Sequence, residues 1–161
     1  MNNPWLQRLS PRQGRLRLLC FPHAGGTAAV YRPWPGDLAD QVEVYAVQLP
    51  GRANRFSEPP LRAIPQMAEE IVAALSSWQT MPFAFFGHSM GSLVALQVTR
   101  ALADAGKPLP QHLFVSGRRA PHVPDLAAPL SPLSDAEFVA EIDRRYGGIP
   151  SEILAEADVL A

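Results

Sequence analysis

The apolar positions of the chain switch repeatedly between two periods. Leu16-Arg17-Leu18-Leu19-Cys20-Phe21 is a short apolar run closed by Pro22, and it reads as a buried strand. The stretch 27–40 carries Tyr31, Trp34 and Leu38 at helical spacing, but Pro33 and Pro35 predict a short or broken helix. A second strand is expected over 42–49, closed by Pro50-Gly51, and an Arg- and Pro-rich loop follows. Met67, Ile71, Leu75 and Trp78 then recur at three and four, so the spacing predicts an amphipathic helix over 65–78. Phe83-Ala84-Phe85-Phe86 is a compact strand running into Gly87. Leu93, Val94 and Leu102 predict a helix over 90–105, stopped by Gly106 and Pro108. A fourth strand is expected over 112–116.

The last segment differs in character. Ser134-Asp135-Ala136-Glu137 has the form of a capping box, and Phe138, Val139, Ile142 and Tyr146 continue it as an apolar stripe up to Gly147-Gly148. A second short helix is expected over 151–160. Strands alternating with helices argue for an α/β protein with a mostly parallel sheet, helices on both faces, and chemistry at the carboxyl ends of the strands.

Composition narrows the classes. A chain of 161 residues, 47% apolar and 18% charged, is about one globular domain. A formal net charge of −1 gives no reason to expect nucleic acid or an anionic membrane as partner. Cys20 is the sole cysteine, so no disulfide can form within the chain, and its apolar setting predicts a buried thiol. The first residues lack a signal-peptide layout, and no apolar run approaches the ~20 residues that span a bilayer. A cytoplasmic protein is expected. There is no metal-ligand cluster and no phosphate-binding Gly loop, so no metal and no cofactor are expected.

The chemistry centres on Gly87-His88-Ser89-Met90-Gly91. Alone, Gly-x-Ser-x-Gly is a weak signal, but here an apolar strand precedes it and a helix follows, as a nucleophile elbow requires. Ser89 would sit on a strained turn, and side chains at positions 87 and 91 would collide there. The following helix start places the Met90 N–H and a positive dipole end beside the serine oxygen, a natural oxyanion donor. A second donor should come from the loop after the first strand, where Phe21-Pro22-His23-Ala24-Gly25-Gly26 lies.

Four ordered segments carry a resemblance: Phe21 to Gly26, Gln48-Leu49-Pro50-Gly51-Arg52, the Ser89 pentapeptide, and Val115-Ser116-Gly117-Arg118-Arg119-Ala120-Pro121. Together they resemble the type II thioesterases that accompany nonribosomal peptide and polyketide synthases, and the likeness runs over residues 15–160. It implies an α/β-hydrolase fold and hydrolysis of misplaced or stalled acyl groups from the phosphopantetheine of acyl or peptidyl carrier proteins. It further implies Ser89 as nucleophile, Ala24 and Met90 as oxyanion donors, and a monomeric parent. Residues 1–132 would then be the hydrolase core and 133–161 the beginning of a helical lid.

Serine needs a base, and the base needs an orienting acid. In the resembled family both follow the lid, so the carboxyl-terminal part of the fold, with the triad Asp and His, is expected to lie outside this chain. Alone, the chain is then expected to be nearly inactive. Of the histidines present, His88 should point away from Ser89 into a packing or hydrogen-bonding role, and His23 should shape its loop. His112 opens a strand at the wrong end, and His122, with Asp125 behind it, is a remote substitute base. Arg118 and Arg119 could attract an acidic carrier or a phosphate, and an equally fair reading has one Arg paired internally and the other solvated. Two rival readings stay open: a carboxylesterase or lipase of the same fold, and a non-catalytic module that binds carrier protein.

Overall fold

In the computed structural model the described residues are 3–78, 80–120, 123, 130 and 132–147. They fall into two compact units, 1–118 and 119–161. The first unit is built on a five-stranded sheet of order β1-β3-β2-β4-β5. The strands β2 (Leu16–Phe21), β3 (Val42–Val47), β4 (Phe83–His88) and β5 (Leu113–Ser116) are parallel neighbours, as their helical connections require. This is the α/β-hydrolase-like arrangement, with a mostly parallel sheet and flanking helices.

One strand was not anticipated. β1 (Leu6–Arg8) runs antiparallel to β3, with Leu6 opposite Val47 and Arg8 opposite Tyr45. Three residues are too few to show a period of two. What fixes β1 is tertiary: the Arg8 guanidinium lies 2.7 Å from the buried Glu43 carboxylate, which Arg17 approaches from β2 at 3.4 Å.

Because strand side chains alternate, the register sorts the sheet into two faces. Leu19, Phe21, Val47 and Phe85 share one face and pack against Met67 and Ile71 of α2 (Ile64–Ala74) and Val94, Val98 and Leu102 of α3 (Met90–Asp104). Leu18, Cys20, Val44, Ala46 and Ala84 share the other, under Ala28 and Tyr31. The two prolines act as expected on 27–40: it forms only a 3₁₀ turn, Ala28–Tyr31, and a single helical turn, α1 (Trp34–Asp37). The run expected over 65–78 is α-helical to Ala74 and tightens to a 3₁₀ turn over Leu75–Ser77.

Within the second unit, α4 (Asp135–Tyr146) starts at the foreseen cap. Glu137 Oε2 accepts from the Ser134 N–H at 2.9 Å and the Ser134 hydroxyl at 2.7 Å. Further along, Arg144 and then Arg145 bond the Glu141 carboxylate and hold its pKa at about 2. The helix expected over 151–160 lies outside the described residues, as do His122 and Asp125.

Candidate active site

β4 ends at His88 and α3 begins at Met90, so a single residue, Ser89, makes the whole turn. Its backbone takes φ 51° and ψ −115°, a region a residue with a Cβ enters only under strain, of order 1–3 kcal/mol. The surroundings must over-determine that conformation, and the two glycines show how. A Cβ on Gly91 would press on the Phe21 carbonyl and stand 2.7 Å from the Pro22 carbonyl oxygen. One on Gly87 would press on the Gly91 carbonyl and stand 2.6 Å from the Ser92 Cα. Close packing of α3 against the end of β2 at Gly91, and against β4 at Gly87, therefore demands hydrogen at both positions.

A serine that the sequence reading did not single out braces this turn. Ser92, in the first turn of α3 and buried, places its hydroxyl 2.7 Å from the Gly87 carbonyl and 3.1 Å from that of Ser116. Its oxygen lies 3.4 Å from the Ser116 N–H, which donates to it. The Ser116 carbonyl also accepts the Ser89 N–H at 2.8 Å. The strained residue is thus tied to β4, β5 and α3 at once. A lone Ser inside a helical pattern gives no local sign of such a role.

The loop after β2 is pinned as well. Gly25 takes φ +76°, and the Gly26 N–H donates to the His23 carbonyl at 3.0 Å. Carbonyl and N–H point oppositely across a trans peptide, so this bond directs the Ala24 N–H away from the turn it closes. Gln48, buried at the end of β3, accepts the Ala28 N–H at 3.1 Å and donates to the Leu49 and Arg52 carbonyls at 3.2 and 3.3 Å. Arg52 donates to the Gly26 carbonyl at 3.3 Å, and the Tyr31 hydroxyl to that of Phe21 at 2.8 Å. The motif Gln48 to Arg52 was noticed in the sequence; its work of holding the Gly25-Gly26 loop was not.

The histidines distribute by geometry. His88 Nδ1 lies 3.1 Å from Ser116 Oγ, a hydrogen-bonding role on the face of the sheet opposite α3. Its ring centroid is 6.0 Å from that of His23, whose own ring packs where a side chain on Gly26 would fall. His112 precedes β5 and gives its carbonyl to the Phe85 N–H at 2.9 Å, at the far edge from Ser89. Among the described residues no side chain hydrogen-bonds Ser89 Oγ. Cys20 is fully buried, and burial pushes its thiol well above the usual range. Arg118 and Arg119 are exposed, and both are engaged in interactions.

A groove of about 1010 Å³ runs along β1 and does not include Ser89. Its Arg8 and Arg17 are committed to Glu43, and Arg17 also lies 5.3 Å over the Trp78 ring. Those bonds make it a structural feature of the sheet edge. No three His, Cys, Asp or Glu side chains among the described residues converge on a metal-sized site.

With this geometry in hand, comparison with known proteins is decisive: the thioesterase domain family matches residues 16–161. The chain belongs to that family. The thioesterase PikA5 of Streptomyces venezuelae is 40% identical over 97% of this chain and 56% of its own length. Linear gramicidin dehydrogenase LgrE of Brevibacillus parabrevis is 43% identical over 92% of this chain and 57% of its own length. Among solved structures, YbtT, the type II thioesterase of the yersiniabactin pathway, superposes with a TM-score of 0.82 at 32% identity. That match covers 97% of this chain and 63% of YbtT. This thioesterase chain therefore spans somewhat over half the length of the curated relatives it matches. No helix among its described residues is long and apolar enough to cross a membrane.

Proposed function

We propose that this chain carries the nucleophile half of a type II thioesterase that hydrolyses acyl groups from the phosphopantetheine of acyl or peptidyl carrier proteins. The observation that carries the reading is the strained, braced elbow at Ser89, φ 51°, in a member of the thioesterase family. Ser89 Oγ attacks the thioester carbonyl carbon. The carbonyl oxygen takes the negative charge and is held by the N–H groups of Ala24 and Met90, where the α3 dipole adds its positive end. The C–S bond then breaks, the pantetheine thiol leaves with a proton, and water cleaves the acyl-serine to acid and free Ser89. This sequence needs no metal or cofactor beyond the pantetheine of the substrate.

The Ser89 proton must pass to a base. His88 is committed to Ser116 and His112 stands at the opposite edge. In the resembled family the order is Ser, Asp, His, with both partners after the lid, and on that ground we assign the base to the part of the relatives that this chain does not cover.

The deciding assay is release of acid from an acyl-carrier thioester by a protein that joins residues 1–161 to that remaining portion. Ser89→Ala should abolish it, while the 161-residue chain alone should retain at most the ~10³–10⁴-fold acceleration over water that a serine hydrolase keeps without its triad. Preference for oxygen esters would turn the reading to an esterase. Failure of a fluorophosphonate to label Ser89 in the joined protein, alongside tight carrier binding, would turn it to a binding module.

A further inference from the structure

The loop after β3 carries the most exposed large apolar side chain among the described residues, Phe56, at 80%. A single exposed hydrophobe is ordinary on a protein surface. The difference here is that the loop carrying Phe56 is tied down at Arg55, Glu58 and Gly51. Arg55, its neighbour, is buried and bonds the Glu58 carboxylate twice, at 2.8 and 2.6 Å. The same guanidinium donates to the Gln48 carbonyl at 2.9 Å and lies 4.3 Å over the Trp5 ring. The Gly51 N–H closes the loop onto the Arg55 carbonyl at 2.9 Å. Ala53 is held at φ +49°, a left-handed conformation that residues with a Cβ adopt at a cost. A strained and heavily braced loop thus presents an aromatic ring to water.

A pre-ordered aromatic is what a binding anchor needs, because little side-chain or loop freedom remains to be lost on contact. Its place suits delivery to Ser89. β3 lies two strand spacings from β4, roughly 10 Å, and Arg52 ties this loop directly to the Gly26 carbonyl. Its charge is one-sided. The stretch 51–62 holds Arg52, Arg55 and Arg62 against Glu58 alone, and Glu58 is consumed by Arg55.

We propose that Phe56, on a stretch that also carries the exposed Arg62, is the docking anchor for the carrier protein that delivers the thioester. The partner surface it fits is an apolar dimple bordered by carboxylates, close to the attachment point of the pantetheine arm. This inference rests on the thioesterase reading above.

The test is fluorescence anisotropy of a holo acyl carrier protein and a holo peptidyl carrier domain, each labelled on the pantetheine thiol, titrated with the protein. Phe56→Ala should weaken binding at least 10-fold without shifting Tm, since the ring is mostly in water, and Phe56→Leu should recover most of the loss. Arg62→Glu should weaken binding several-fold and flatten its salt dependence. Phe114→Ser, which removes a second exposed ring on β5, should bind as wild type. The docking surface is overturned if Phe56→Ala binds as tightly as wild type, if Phe114→Ser is the variant that loses binding, or if the unaltered protein binds neither carrier. The thioesterase reading is judged separately by whether the joined protein hydrolyses an acyl-N-acetylcysteamine, a small thioester that makes no carrier contact.

Discussion

β4 and β5 lie side by side and both come from short apolar runs, yet their fates differ. Phe85 of β4 is completely buried, with the Phe21 ring 5.1 Å away and the α2 and α3 side chains above it. Phe114 and Val115 of β5 are 52% and 58% exposed, one on each face of the sheet. The residues are equally apolar. What differs is cover among the described residues: helices normally bury a parallel strand, as they do Phe85, whereas Phe114 and Val115 stay more than half exposed. An apolar run therefore forecasts a strand and leaves its burial open. β5 still matters to the site, since Ser116 anchors both Ser89 and Ser92.

That contrast can be broken experimentally. Phe85→Ala should cost about 3–5 kcal/mol in urea unfolding, as for other buried aromatics; a loss under 1 kcal/mol would mean the β4 interior is not packed as described. Gly91→Ala follows at about 3 kcal/mol, because the clash is with backbone that cannot rotate aside. Its unfolding midpoint should fall steeply, and a wild-type midpoint would refute the close approach of α3 to Phe21.

Ser92→Ala should cost about 1–3 kcal/mol, since the Ser116 N–H and the Gly87 carbonyl lose a buried partner. It should also slow acylation of Ser89 in the joined enzyme, with kcat falling more than KM rises. Equal effects on both would reduce Ser92 to a packing residue.

Phe114→Ser on β5 should change stability by no more than about 0.5 kcal/mol, and it should reduce self-association, because it removes an apolar edge. A large loss would show that something covers β5 in solution.

The smallest expected effect is in α4. Glu141 has a folded pKa of about 2, below the ordinary 4.5. Its pairing with Arg144 and Arg145 therefore supports the helix above about pH 4.5 and is lost as pH falls towards 2. A Glu141 side-chain NMR titration with a midpoint near 4.5 would contradict the pairing.

Among the described residues, four of the five strands and the longer helices were legible as hydrophobic periods, and Pro33 and Pro35 announced the broken helix between β2 and β3. β1 was not, because Leu6-Gln7-Arg8 is too short for a pattern and is held by Glu43, far along the chain. The elbow was legible because its glycines and serine are adjacent in sequence. Ser92, Gln48 and Arg52 as braces were not, since all but one of their partners lie 4 to 26 residues away and are met only after folding. Of the charged groups, Arg118 and Arg119 stood out in the sequence as a pair, while Arg55, the buried anchor of the Phe56 loop, did not.

By itself the sequence determined the alternation of strand and helix, the position of the turn at Ser89, and the need for glycine on either side of it. These are local matters, set by periodicity, proline and the room a Cβ requires. Tertiary structure alone decided the strand order, the burial of Phe85 against the exposure of Phe114, and which serine, glutamine and arginine hold the site. Those outcomes depend on which distant groups a side chain meets, and a linear pattern carries no information about a meeting that only the folded sheet brings about.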